Sequence, residues 1–159
     1  MQSSLFRQGG AGIELGDLLK DEFYAVAPML DGQLSTKGPP VPLRGKIAEL
    51  LGLTFHELCV NALKFGALAQ PEAGIDFSWD LVGANDPKVL QIVWRETGVR
   101  LMDCNPARFG FGRDLVERAL PYELGAETAM EFRPGGLRCR ISLHLPHTAE
   151  SGESAERRQ

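Results

Sequence analysis

Leu53-Thr54-Phe55-His56-Glu57-Leu58-Cys59-Val60-Asn61-Ala62-Leu63-Lys64-Phe65-Gly66-Ala67-Leu68 reads as an apolar helix with chemistry written on one side. Helical spacing of apolar residues starts at Gly45 and continues to Phe65, and Gly66 stands where helices commonly stop. At about 100° per residue, Glu57, Asn61 and Lys64 fall within roughly 60° of arc. The flanks (Leu50, Leu51, Phe55, Leu58, Val60, Ala62 and Leu63) are apolar. One narrow stripe therefore carries a carboxylate, a carboxamide and an ammonium, with His56 beside it. Burying such groups without partners is costly. A charge-rich ligand, such as a metal-bound phosphate, would offset that cost; a polar seam at a helix–solvent boundary would give the same pattern.

Working outward, the spacing of Leu15, Leu18, Leu19, Phe23, Val26 and Ala27 predicts a helix from Glu14 to Met29, ended by Pro28 and Asp31-Gly32. Gln33–Thr36 and Val41–Leu43 read as short extended pieces around the turn Gly38-Pro39-Pro40. Downstream of the long helix, Ala69–Gly74 is a loop. Ile75–Val82 alternates Ile75, Phe77, Trp79 and Leu81 with Asp76, Ser78 and Asp80, a half-buried strand. Gly83–Pro87 has the length of a hairpin connection, and Val89–Glu96 is the next strand. Thr97–Phe111 has no sustained period, and a loop of that length in a compact domain is more often functional than accidental. Gly112–Leu120 reads as a short helix stopped by Pro121. Glu127–Phe132 and Leu137–Leu145 are strands joined by Arg133-Pro134-Gly135-Gly136. Consecutive hairpins imply a two-layer α/β sandwich: a mostly antiparallel mixed sheet with about three helices on one face.

The chain of 159 residues fits one domain. We expect a flexible lead-in over 1–12, the folded domain over 13–146 and a disordered polar tail over 147–159. A net charge of −4 without a Lys/Arg run argues against nucleic-acid binding. No apolar run reaches the ~18 residues of a membrane span, and the first residues lack the regions of a signal peptide. Cys59, Cys104 and Cys139 are odd in number and widely spaced, which suits reduced thiols in the cytoplasm rather than a disulfide frame or zinc site.

Two further groups of residues bear on chemistry. In Trp94-Arg95-Glu96-Thr97-Gly98, a strand ends in an acid and then a glycine that lets backbone approach a ligand. A carboxylate there can accept from the exocyclic amine of adenine; a charged residue closing a strand is equally ordinary. Gly110-Phe111-Gly112 opens a helix, where free N–H groups and the helix dipole favour phosphate. It is neither a dinucleotide fingerprint nor a P-loop, and Gly112 also suits a simple N-cap.

The three stretches in this order resemble the ATP-binding catalytic domain of HWE-type sensor histidine kinases, in the Bergerat-fold ATPase superfamily. His56 through Leu68 is similar to the family's H-E-L-x-x-N-A-x-K-Y-G-A-L, Trp94 and Glu96 match its W-x-E, and Pro106, Arg108, Gly110, Phe111 and Gly112 match its P-x-R-x-G-F-G. The similarity runs from about Ile13 to Pro146. It implies that Asn61 binds Mg²⁺, that Glu57 assists at the metal or its water, and that His56 and Lys64 support the phosphate side. Glu96 would read adenine with Gly98 beside it, and Arg108, Gly110, Phe111 and Gly112 would close over the nucleotide. Val99–Phe109 would be the ATP lid. Two positions depart from the pattern: Phe65 replaces a Tyr and loses a hydroxyl, and Thr97-Gly98-Val99-Arg100-Leu101 replaces the Gly-Gly-Pro-Pro after the acid.

The implied activity is transfer of the γ-phosphoryl of Mg·ATP to a histidine on a separate dimerisation domain, with a response regulator downstream. His56, His144 and His147 are the chain's histidines, and none stands in an acceptor hairpin. The chain would be an excised catalytic domain or one acting in trans. The alternatives are a degenerate binding module that docks a signalling partner without turnover, or an anti-sigma-type serine kinase.

Overall fold

Alternating side chains build the centre of the molecule: β4 (Gly74–Val82) and β5 (Val89–Thr97) pair antiparallel over their full nine residues. The register sets Phe77 opposite Trp94 and Ile75 opposite Glu96, so every second residue faces the same side. β6 (Glu127–Arg133) and β7 (Gly136–His144) form the predicted hairpin, with Arg133 opposite Gly136. β2 (Leu34–Lys37) lies parallel to β4, and the five strands run in the order β2-β4-β5-β7-β6. The computed structural model describes residues 12–83, 88–100 and 110–146. The expectations for 1–11, for the lid beyond Arg100 and for the tail from His147 lie outside the described residues, as do Cys104, Pro106 and Arg108.

Helices cover one face. The α1 helix (Leu15–Val26) buries Leu15, Leu18, Leu19 and Phe23, and it packs along α2 (Gly45–Phe65). The α2 helix seats Phe55 edge-on to Phe77, with ring centroids 5.2 Å apart, and Phe77 meets Trp94 edge-on at 6.2 Å. Each such fully buried ring or leucine contributes about 1.5–3 kcal/mol. Cys59 and Cys139 are free thiols within this core, as the cysteine spacing implies. The other face carries Asp76, Arg95 and Arg140, all exposed, and the half-buried Arg138 among the described residues. Among the described residues no helix is long and apolar enough to cross a membrane.

Three local expectations need correction. Ile13–Glu14 is a short strand, β1, paired with β3 (Pro42–Leu43), and α1 begins only at Leu15. Two residues are too few for a period, and burial of Ile13 against Leu43 decides their conformation. After Val26 the chain makes a 3₁₀ turn, Pro28–Gln33, rather than continuing to Met29, because Pro28 offers no N–H to an α-turn. Pro121 does not stop the last helical segment. The helix runs from α3 (Gly110–Asp114) through a π turn (Leu115–Ala119) into α4 (Leu120–Leu124). The wider π turn places Pro121 in the first turn of α4, where its missing N–H is tolerated.

The real stop is Gly125, at φ +66°. Its N–H reaches Pro121 O at 3.0 Å, the bond of an αL ending, and the Ala126 N–H reaches Leu120 O at 3.4 Å. A Cβ there would meet no atom within 4 Å, so Gly125→Ala carries only backbone strain. Urea unfolding should show a loss of about 1 kcal/mol with an unchanged m-value.

Candidate nucleotide site

The α2 stripe is brought to the start of α3. Gly112 packs so closely on it that a Cβ there would lie 2.8 Å from Asn61 Nδ2 and 3.5 Å from Glu57 Cβ. Asn61 is 7% exposed, and its Nδ2 is buried with no hydrogen-bond partner among the described residues. Leaving such a group unsatisfied costs about 1–3 kcal/mol. Glu57 is half-buried beside it, and Lys64 is exposed in the last turn. An amide oxygen next to a carboxylate is a donor set for a hard cation that shares its shell with phosphate oxygens. Phe111 is exposed beside Gly112.

Glu96 is the second pole. It sits at the end of β5, only 5% exposed. The Trp94 indole N–H donates to Oε2 at 3.0 Å, which is what the period of two makes possible: the two side chains share one face. The Ala67 backbone N–H, just past α2, donates to Oε1 at 2.9 Å. Burial pushes the Glu96 carboxyl above the ordinary carboxylate range, and these two donors act the other way. Space here is fully used: a Cβ on Gly66 would sit 2.2 Å from Glu96 Oε1, and one on Gly136 would sit 2.6 Å from Glu96 O. Only glycine fits at Gly136, and a side chain at Gly66 would displace the Glu96 carboxylate. A carboxylate with one donor on each oxygen keeps lone pairs for a further donor.

Gly98 follows at φ +78°, where a Cβ would be strained and would lie a tight 3.2 Å from both Ala73 Cα and Glu72 O. It turns the chain so that Val99 N–H reaches Gly135 O at 2.9 Å, while Arg100 donates to Gln70 Oε1 and pairs with Glu72, each at 2.9 Å.

His56 is not brought to Asn61. It lies about 100° round the helix from Glu57 and meets α1, with Nδ1 3.2 Å from Glu22 Oε1. Burial raises the Glu22 carboxyl, and the neighbouring histidine opposes that shift. Glu22 and Gln33 were invisible to motif reading, because their partners lie thirty-four residues or more away. His144 is exposed on β7.

Comparison with known proteins bears on the fold. Solved structures share the fold: the histidine kinase domain of the Erythrobacter litoralis EL346 blue-light activated histidine kinase gives a TM-score of 0.59 at 21% identity, over 84% of this chain and 62% of that one. The catalytic domain of histidine kinase ThkA gives 0.57 at 10% identity, over 85% of this chain and 96% of that one. The fold is that of a histidine-kinase catalytic domain. In sequence, the chain is 28% identical over 146 residues to a blue-light-activated histidine kinase of Brucella anthropi, and 29% identical over 147 residues to one of Brucella ovis. These alignments cover 92% of the chain but 29% of each relative, so the chain spans under a third of the curated relatives' length. No family model matches.

Proposed function

We propose that this domain binds Mg·ATP between α2, the Glu96 end of β5 and the start of α3, and serves as the kinase half of an HWE-type histidine kinase. The carrying observation is Asn61: a buried amide whose Nδ2 has no partner among the described residues, pressed against a helix start that opens on Gly110 and Gly112. In this reading Asn61 and Glu57 hold Mg²⁺ and its water, and Lys64 extends toward the phosphates. The first N–H groups of α3, at Gly110–Gly112, would face developing negative charge. Bound magnesium supplies charge neutralisation of the phosphate oxygens. Glu96, already oriented by Trp94 and Ala67, accepts from the exocyclic amine of adenine.

The γ-phosphoryl acceptor is a histidine on a dimerisation domain, and a response regulator receives the group next. The domain contributes positioning and electrostatic stabilisation, which is most of what phosphoryl transfer requires. A cytoplasmic location goes with those partners. Mg·ATP at about 100 times its Kd should stabilise the domain by about 2.7 kcal/mol, roughly 5–10 °C in Tm for a chain of this size. No shift at millimolar nucleotide would overturn the reading.

A second reading is a nucleotide-free docking module for a signalling partner. The ties of Val99 and Arg100 to Gly135, Gln70 and Glu72 favour it, since they hold the segment after Glu96 against the protein itself. Retention of a response regulator without any nucleotide shift would select it.

A further inference from the structure

Gln33, the last residue of the turn before β2, donates through Nε2 to three backbone carbonyls: Ala67 O at 3.0 Å, Gln70 O at 2.8 Å and Ala73 O at 2.8 Å. An amide nitrogen has two hydrogens, so one of them is shared. The orientation is fixed by chemistry, because an amide oxygen in that place would face three oxygens and no donor. The three carbonyls belong to the irregular segment between α2 and β4, and they wrap it around a single point.

That segment also carries the N–H that holds Glu96. Of the two donors on the carboxylate, Trp94 comes from the same strand and is fixed by the sheet. Ala67 stands in a single 3₁₀ turn, past the end of α2. Its position depends on whatever fixes the segment. A carboxylate released from one of two donors turns easily about its last torsion, which is broad and roughly two-fold.

We propose that Gln33 is a positioning residue for base recognition: it clamps Ala67–Ala73 so that the Ala67 N–H holds the Glu96 carboxylate toward the exocyclic amine of a purine. This rests on the nucleotide reading above. The clamp also reaches past Glu96, because Gln70 and Glu72 of the same segment engage Arg100. Base recognition and the residues that follow Glu96 thus share one support.

The test uses Gln33→Met, which keeps the length and loses the donor, and Ala67→Pro, which deletes the N–H while keeping Gln33. Two readouts apply: the pH midpoint of the Trp94 indole N–H resonance, which reports ionisation of Glu96, and the ratio of Mg·ATP to Mg·ITP affinity. Inosine triphosphate has an oxo group where ATP has the amine. Both variants should raise the midpoint, since a bond favouring the charged carboxylate is lost, and both should lower the ratio about tenfold. An unmoved midpoint and ratio in a folded Gln33→Met protein would overturn the inference, even if its Tm falls. So would changes in Ala67→Pro alone. A raised midpoint in a protein that binds neither nucleotide would uphold the clamp and sink the nucleotide reading.

Discussion

Asn61→Ala should abolish most of the thermal stabilisation by Mg·ATP while leaving the ligand-free protein as stable as before, or more stable. Two effects of opposite sign act on the free protein. Truncation removes side-chain packing against Gly112, but it also removes a buried amide nitrogen that has no partner among the described residues. The second effect is worth about 1–3 kcal/mol and offsets the first. For the bound protein only a loss remains, because the amide oxygen is the group assigned to magnesium. The signature is a stability–function trade: unchanged or raised Tm without nucleotide, and a shift of roughly 5–10 °C reduced to near zero with it. Calorimetric scans of both proteins, with and without Mg·ATP, measure this directly. A lowered free Tm together with an undiminished nucleotide shift would make Asn61 a packing residue.

Glu96→Ala should have the next largest effect, and it should change the pH dependence of stability as well as base discrimination. Removal leaves the Trp94 indole N–H and the Ala67 N–H without their acceptor, at about 1–3 kcal/mol each, offset in part by relief of a desolvated carboxylate. The folded carboxyl lies above its ordinary value because burial penalises its charge. The folded state therefore holds a proton more readily than the unfolded chain. Stability contributed by this group is greatest at low pH and declines as pH rises through the ordinary carboxylate range toward the raised value. Glu22 acts with the same sign. The variant should lose part of that decline while keeping the share due to Glu22, and it should bind Mg·ATP no better than Mg·ITP. Urea unfolding followed across that pH range checks the first expectation, and competition binding checks the second. An unaltered pH profile would mean that Glu96 is not the group responsible.

Much of the architecture was legible because it is periodic. Ile75–Val82 and Val89–Glu96 alternate so regularly that their strands differ from the observed limits by one residue, and α2 spans Gly45–Phe65 as read. The Trp94–Glu96 bond was implicit in a spacing of two on a strand. What escaped notice depends on tertiary context. Ile13–Glu14 is a strand because Ile13 lands on Leu43. Pro121 fails to end a helix because a π turn precedes it. His56 turns to Glu22, and Gln33 grips a segment far along the chain; neither partner can be seen from local sequence. The stripe on α2 was ambiguous by spacing alone. Its packing against Gly112 ties two of its members to the Gly-x-Gly helix start, which no helical wheel could have shown.

The central claim is that one nucleotide spans from Asn61 to Glu96, and NMR of the ¹⁵N-labelled domain tests it most directly. On titration with Mg·ATP, the Asn61 side-chain amide and the Trp94 indole N–H should shift together and saturate at one concentration. Replacement of magnesium by Mn²⁺ should then broaden Asn61 far more than Trp94, since the metal belongs at the phosphate end. Saturable shifts confined to Gln91, Arg138 and Arg140 on the sheet face opposite the helices, or the absence of any shift, would contradict the account.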